Sequence, residues 1–424
     1  MNIIESFEVD GFWGVKKLKI KFNSDLNFII GHNGSGKTTA INMLAATLRA
    51  DFQHLYAANF NKITVKLKTI GKNQKPVIEV TKEEDPVMGS VNIKYLVKLN
   101  SNDKGRWFGV EGPLDSRIYR DHPSMRRMQP MEEGGRLELI LKDIVETNWL
   151  SIHRSTVDVQ KRSMRDEIAD SPIDVKLKQI SRAFANYFSL LSAKADVEAK
   201  NFQEQTFLSM LQGEQRSSSI FQEARQQAED KENLVGVLLE MGVSRSKSTR
   251  TVESFYRSVE SAKKKVSDRG LDLADALTLA DAQRIRAMIG RWRELNSSRA
   301  NIFQPRSNFI EIMNSLFSGK SISFDERNIP KIKLPRGDEV DIGTLSSGEK
   351  QLFIILGEAL LQERREVVFI SDEPELSLHV VWQSSLFENI RAINPNCQVI
   401  TATHSPDIIG PFANKVIKVE DCFL

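Results

Sequence analysis

Two stretches of the chain carry residue types suited to phosphate chemistry, and roughly 300 residues separate them. The first is Gly31-His32-Asn33-Gly34-Ser35-Gly36-Lys37-Thr38-Thr39, the pattern G-x-x-x-x-G-K-[ST]. It follows directly on the apolar run Leu26-Asn27-Phe28-Ile29-Ile30, and Ala40 to Leu48 then reads as a helix, which is the strand–loop–helix setting this motif requires. The glycines let the backbone wrap phosphates, Lys37 can neutralise the β- and γ-phosphates, and the Thr38 hydroxyl can ligand Mg²⁺. Gly31, Asn33, Gly34, Ser35, Gly36, Lys37, Thr38 and Thr39 are therefore the expected nucleotide contacts. His32 stands at a variable position and is given no role.

The second stretch is Leu345-Ser346-Ser347-Gly348-Glu349-Lys350-Gln351, a Ser/Gly turn opening a helix. Phe353, Ile354, Leu356, Leu360 and Leu361 continue that helix at three- and four-residue steps until Gln362-Glu363-Arg364-Arg365. A helix start presents free backbone N–H groups and a positive dipole end, which suits a phosphate. The lysine for the β- and γ-phosphates lies in the first stretch, so a cradle divided this way makes sense if two copies of the chain close over the nucleotide.

Two further strand ends carry reactive groups. Val367-Val368-Phe369-Ile370-Ser371 ends in Asp372-Glu373; Asp372 is the expected Mg²⁺ partner and Glu373 the group that takes a proton from the attacking water. Gln398 to Thr403 delivers His404, whose place at a strand end suggests contact with the γ-phosphate. Trp149-Leu150-Ser151-Ile152 also reads as a core strand, ending in His153-Arg154; that pair reads equally as phosphate-facing or as ordinary surface.

The elements that must position these groups are legible in outline. Strand-like segments at Ile3–Val9 and Leu18–Phe22 precede the Gly-rich loop, and Ile63–Leu67 and Val91–Val97 alternate around a turn at Gly71-Lys72-Asn73, which suggests a mixed β lobe. Residues 101–135 read as an irregular loop and Leu137–Ile144 as a helix. From 170 to 300 the spacing turns helical, with Leu177, Ile180, Phe184, Tyr187, Phe188 and Leu191, then Phe207, Leu208 and Leu211. Polar linkers are expected at Gly213–Ser219 and Gly242–Arg250, a long helix from Leu271 through Trp292 toward Phe303, and a returning helix over Phe303–Phe317. A hairpin is expected at Ile322–Phe324 and Ile332–Leu334. The domain expectation is an ATPase head made of 1–165 and 301–424, with 170–300 inserted as a helical hairpin or short coiled coil. An arm of about 50 residues would reach at most roughly 75 Å, and it has no Cys-x-x-Cys for a zinc at its tip.

Composition sets the outer limits. The 424 residues, 40% of them hydrophobic, leave room for more than one domain, and no apolar run approaches the ~20 residues that span a bilayer. The start Met1-Asn2-Ile3-Ile4-Glu5 does not read as a signal peptide, and the two cysteines, Cys397 and Cys422, cannot build a disulfide framework or a zinc site. A cytoplasmic protein without membrane contact is expected. A net charge of +3 does not argue for nucleic acid, but Arg245–Arg269 holds eight Lys/Arg against Glu253, Glu260 and Asp268, a local net of about +5 focused on Lys263-Lys264-Lys265. A solvated helix face and a contact for nucleic acid or an acidic partner both account for it.

Taken in order, these motifs resemble the ABC-type ATPases of the Rad50/RecF/OLD branch. Gly31–Thr38 matches the Walker A motif, Leu345–Glu349 the ABC signature, Val367–Glu373 Walker B, Glu375–His379 the D-loop, and His404 the switch histidine. The resemblance covers about 1–60 and 300–420 and implies an α/β head, with a mixed β lobe and a parallel-sheet core, that forms a head-to-tail dimer holding two ATPs. Lys37 of one subunit would then share a nucleotide with Ser346, Ser347, Gly348 and Glu349 of the other. Trp13 departs from the family, whose members often carry a basic residue there, and His153-Arg154 occupies the neighbourhood where a Q-loop glutamine would be sought. Within the branch, Asp372-Glu373-Pro374-Glu375-Leu376-Ser377-Leu378-His379 and Thr403-His404-Ser405-Pro406 are similar to OLD-like ATPases.

OLD nucleases continue into a TOPRIM domain, for which the residues after His404 leave no room. The expectation is therefore a stand-alone OLD-like ATPase, similar to those of the anti-phage PARIS, Septu and retron operons. Such a protein would use ATP and Mg²⁺, self-associate into a dimer or a larger homo-oligomer, and control a separately encoded effector nuclease in answer to a phage protein trigger. The alternative is an ATPase of repair or chromosome maintenance whose basic helical region grips DNA. A transporter subunit suits the helical insertion poorly, and Lys37, Asp372, Glu373 and His404 argue against a degenerate site.

Overall fold

The computed structural model describes residues 2–84, 91–100, 103–111, 129–150, 171–212, 224–269 and 272–424. In chain order the head opens with β1 (Asn2–Phe12), β2 (Lys16–Lys21) and β3 (Leu26–Ile30), then α1 (Lys37–Leu48) and α2 (Phe52–Ala57). Strands β4 (Lys62–Thr69), β5 (Val77–Glu84), β6 (Val91–Lys98) and β7 (Arg106–Glu111) follow, then α3 (Gln129–Ile144) and β8 (Thr147–Leu150). Next come four helices, α4 (Pro172–Gln212), α5 (Ala224–Glu240), α6 (Arg245–Arg269) and α7 (Leu273–Leu316). The chain closes with β9 (Ser321–Phe324), β10 (Pro330–Lys333), β11 (Glu339–Asp341), α8 (Ser347–Leu361), β12 (Val368–Asp372), α9 (Val380–Ile393), β13 (Gln398–Ala402), α10 (Pro406–Ile409) and β14 (Val416–Lys418).

The strands form three sheets. An antiparallel sheet runs β2-β1-β4-β5-β6-β7, and a small one runs β11-β10-β9. The third, β14-β3-β13-β12-β8, is parallel throughout. Its three central strands, β3, β13 and β12, are near-continuous buried runs because both faces are covered, and Val368, Phe369, Val399 and Ile400 are fully buried. One core joins the antiparallel lobe to α1: Phe7, Phe12, Leu18, Ile63, Val65 and Tyr95 pack in the same cluster as Ile41, Leu44 and Ile400.

The chain divides into two compact units, 1–185 with 308–424, and 186–307. In the first, Phe184, Phe309 and Phe353 meet edge to face with centroids 5.2–5.9 Å apart, so that α8 is held against α4 and α7. The second unit is helical. Leu234 of α5, Val252 and Tyr256 of α6 and Ile289 of α7 form its apolar cluster.

Several elements differ from the sequence expectation. The polar stretch 245–250 is not a linker but the first turns of α6; Ser248, Val252, Tyr256, Val259 and Ala262 are buried along one stripe while Arg245, Lys247 and Arg250 face out. The expected break near Phe303 is absent, and α7 continues through Pro305 as one helix of 44 residues. The stretch read as an irregular loop contains β7 and the start of α3. Strands β11 and β14 had no counterpart in the sequence reading.

Candidate functional site

Sheet register gathers the site. Ile29 of β3 pairs with Ala402 of β13, and Ala402 pairs with Asp372 of β12, so the three strands end at one level. Gly31, Glu373 and Thr403, the residues just past those ends, are therefore neighbours although they lie far apart in sequence. In an open parallel sheet, ligands bind outside the carboxyl ends of the strands.

The Gly-rich loop is closed around its own lysine. Lys37 is 4% exposed, and its Nζ donates to the carbonyls of Gly31 and His32, each at 2.9 Å. Gly36 caps α1 with φ +98°, and a Cβ there would stand 2.9 Å from the rings of Phe12 and Trp13, so conformation and space both demand glycine. Asn33 and Gly34 are exposed and Ser35, Thr38 and Thr39 half-buried. The Ser35 hydroxyl oxygen is buried without a hydrogen-bond partner. Exposed loop residues, an orphaned hydroxyl and a buried ammonium suit a polyphosphate, which would supply acceptors for the loop amides, the hydroxyl and the ammonium.

The Thr38 hydroxyl donates to Asp372 Oδ1 at 3.1 Å. These two oxygens are the expected metal partners, and the fold brings them together. Among the described residues no group of three or more His, Cys, Asp and Glu could hold a metal alone. A Mg²⁺ here would share its shell with phosphate oxygens and water, the usual habit of that ion.

Glu373 follows with φ +47°, a left-handed conformation uncommon for a residue with a side chain. Its N–H donates to Ala402 O at 2.9 Å, and its Oε1 lies 3.8 Å from His404 Nε2. Both side chains are about a third exposed or more, 32% and 41%. The expected acid–base group and the expected γ-phosphate contact thus share one mouth.

The signature turn is built differently. Ser346 caps α8 in a reciprocal capping box with Glu349, whose Oε2 accepts from the Ser346 N–H and hydroxyl at 2.9 Å. Lys320 binds the same carboxylate at 2.8 Å. Burial pushes the Glu349 acid up, but the Lys320 ammonium and the two Ser346 donors outweigh it and hold it below the usual carboxylate range. Glu349 is thus an internal brace of the turn, while Ser346 and Ser347 remain exposed. A Cβ on Gly348 would stand only 2.4 Å from Ser377 O, so glycine alone lets the Glu375–His379 loop approach.

Sequence reasoning missed a brace from the far end of the chain. Glu420 Oε1 accepts from the His32 N–H at 2.7 Å, and that bond above all, helped by the Lys37 charge, holds its carboxyl below the usual range. Phe423 stacks on Trp13 at 6.2 Å, and Lys16 Nζ sits over both rings at 5.4 and 4.8 Å. The pairing of β14 with β3 places these residues, and no local motif signals it. The His153-Arg154 pair lies outside the described residues.

A parallel sheet with a Gly-rich anion loop at the end of β3 and paired acids at the end of β12, with β13 between them, defines the core of a P-loop ATPase, here in an α/β head with long helices. The chain belongs to the AAA ATPase domain family, matched over residues 1–409. A stretch of 100 residues is 29% identical to a retron Vc95 probable ATPase of Vibrio cholerae serotype O1 biovar El Tor, covering 20% of this chain and 19% of that one. Another of 41 residues is 46% identical to the Septu protein PtuA of Bacillus thuringiensis, covering 10% of each. The chain thus aligns with a fifth or less of these relatives. Among solved structures, it is similar to the Smc head domain with an extended coiled coil bound to the C-terminal domain of ScpA from Pyrococcus furiosus. That likeness has a TM-score of 0.41 and 17% identity over 97% of this chain and 92% of the other. The Smc head domain with a coiled coil and joint from Pyrococcus yayanosii gives a TM-score of 0.42 and 14% identity over 97% and 93%. The fold assignment stands on the strands and helices described above. Among the described residues no helix is long and apolar enough to cross a membrane.

Proposed function

We propose that the chain binds and hydrolyses ATP between two copies of itself, head to tail, and that closure controls a separate effector in anti-phage defence. The observation that carries the catalytic part is the convergence of Lys37, Thr38–Asp372 and Glu373–His404 at the carboxyl ends of β3, β12 and β13. Bound Mg²⁺ neutralises charge on the phosphates and orients them. Thr38 and Asp372 hold it, Lys37 holds the β- and γ-phosphates, Glu373 accepts the proton of the attacking water, and His404 contacts the terminal phosphate. Asn33, Gly34, Ser35, Gly36 and Thr39 contribute loop amides and hydroxyls. The exposed Ser347 and the start of α8 supply the partner's share of the cradle, which is the reason to expect a dimer.

The defence reading rests on the retron and Septu relatives, and the proposed effector is a separately encoded nuclease. The test is a pull-down of tagged Glu373→Gln protein with ATP, expressed with its native neighbouring genes. A stoichiometric protein partner supports this reading. Duplex DNA without such a partner overturns it in favour of a repair or chromosome-maintenance ATPase, the reading favoured by the exposed Arg245, Lys247, Arg250, Arg257, Lys264 and Lys265 on α6.

A further inference from the structure

Two residues beyond Glu373 stands a second acid of different character. Glu375 is 6% exposed, and its Oε1 accepts from the Thr403 hydroxyl and from the His404 N–H at 3.0 Å. Thr403 is fully buried, and its hydroxyl oxygen in turn accepts from the Ser405 N–H at 3.0 Å. The other carboxylate oxygen, Oε2, is buried with no partner. A half-satisfied buried acid is costly to keep.

The bonds of this acid run to the backbone that carries His404. The loop bearing Glu375 is itself tied down on two sides. Gln351 of α8 donates through Nε2 to Pro374 O at 2.7 Å. Gln383 of α9 donates to Leu378 O at 3.0 Å and accepts from the Ser405 hydroxyl at 2.6 Å. One short loop therefore fixes the signature helix at one end and the segment Thr403–Ser405 at the other.

We infer that Glu375 is a positioning residue of the ATP site: its buried carboxylate holds Thr403 and the His404 amide and so sets the His404 imidazole 3.8 Å from Glu373. It touches no substrate. It acts through His404, and through Pro374 it links that histidine to the helix whose start faces the second copy. The inference rests on the reading of Glu373 and His404 as the hydrolytic pair.

The test is steady-state ATP hydrolysis together with equilibrium binding of a non-hydrolysable ATP analogue, for Glu375→Ala, Glu375→Gln and Thr403→Val, with Glu373→Gln as reference. Displacing a reacting group by about 1 Å costs on the order of 100-fold, so Glu375→Ala should lower kcat roughly 10- to 100-fold while KM and analogue affinity stay within about threefold. Glu375→Gln keeps an acceptor oxygen for both donors and adds an N–H₂ on the orphaned side, so it should restore kcat to within about threefold of wild type. Thr403→Val removes one donor and should fall between them; should Glu375→Ala fail to fold, this variant and Glu375→Gln decide the matter. The inference is overturned if Glu375→Ala turns over at the wild-type rate, if Glu375→Gln is as damaged as Glu375→Ala, or if binding falls in step with kcat. Wild-type turnover by Glu373→Gln would instead overturn the underlying reading of the hydrolytic pair, whatever the other variants do.

Discussion

The parallel core of the head and the helical unit of residues 186–307 use charged residues in opposite ways. In the head, the charges that matter are drawn inward by sheet register. Lys37 is 4% exposed, Glu375 6% and Glu349 9%, and each is held by named donors or acceptors at strand or helix ends. In the helical unit, buried Asp230 is met by Arg286 at 3.4 Å and Arg293 at 3.1 Å and buried Asp275 by Lys265 at 3.5 Å, while most basic residues of α6 line an outer face. A parallel sheet places groups from distant parts of the sequence within bonding distance, because pairing advances residue by residue. A helix buries one stripe and leaves the opposite face exposed. The groups gathered by sheet register therefore lie in the first region, and the outward basic face lies in the second.

The largest effect should come from breaking the head at its loop. Gly36→Ala forces a Cβ into φ +98° and against Phe12 and Trp13, and should abolish measurable ATP binding in calorimetry. Wild-type affinity in this variant would show that the loop tolerates rearrangement. Next is Asp230→Ala, which strips two guanidinium groups of their acid and should destabilise the helical unit by about 1–3 kcal/mol, both arginines being able to reach water. Protease cutting within 224–307 should quicken while ATP affinity holds; a matching loss of affinity would erase the contrast between the regions.

The head was legible where buried strands carry their own signature. The runs Leu26–Ile30, Val367–Ser371 and Gln398–Thr403 announced β3, β12 and β13, and the Gly-Lys-Thr and Ser-Ser-Gly-Glu spacings announced the loops. Antiparallel β5 is half charged, and β7 is short, interrupted by Gly109 and set in a stretch rich in Gly, Pro, Asp and Arg, so neither gave such a run. Residues 245–250 read as a linker because one buried Ser248 among polar neighbours hides a helix stripe, and the continuation of α7 through Pro305 runs against the usual effect of proline in a helix. Glu375 was legible only as part of the loop Glu375–His379, and Glu420 not at all, because the partners of these acids lie 28 and 388 residues away, and only the fold makes such pairs.

Smaller effects sharpen the comparison further. Replacing Lys263, Lys264 and Lys265 by alanine should leave ATP turnover unchanged; if the outer face of α6 binds DNA, the slope of log affinity against log salt should fall by about three. Smallest of all, Glu420→Ala should weaken ATP affinity a few-fold, about 1 kcal/mol for one hydrogen bond at an exposed brace. Because the folded acid titrates below its ordinary value of 4.5, this brace is intact above pH 4.5 and fades as pH falls through the lower folded value. Affinity in the wild type should therefore drop there, and the drop should be smaller in Glu420→Ala.

The central claim is that each ATP lies between two copies, with Lys37 from one and the Ser346–Gly348 turn from the other. The most direct measurement mixes two separately inactive proteins, Lys37→Ala and Ser347→Arg, and follows phosphate release. A mixed dimer contains one site with both lesions and one with neither, so turnover should reappear on mixing although each variant alone is silent. Full activity of Ser347→Arg alone, or a mixture as silent as its parts, would contradict the shared site.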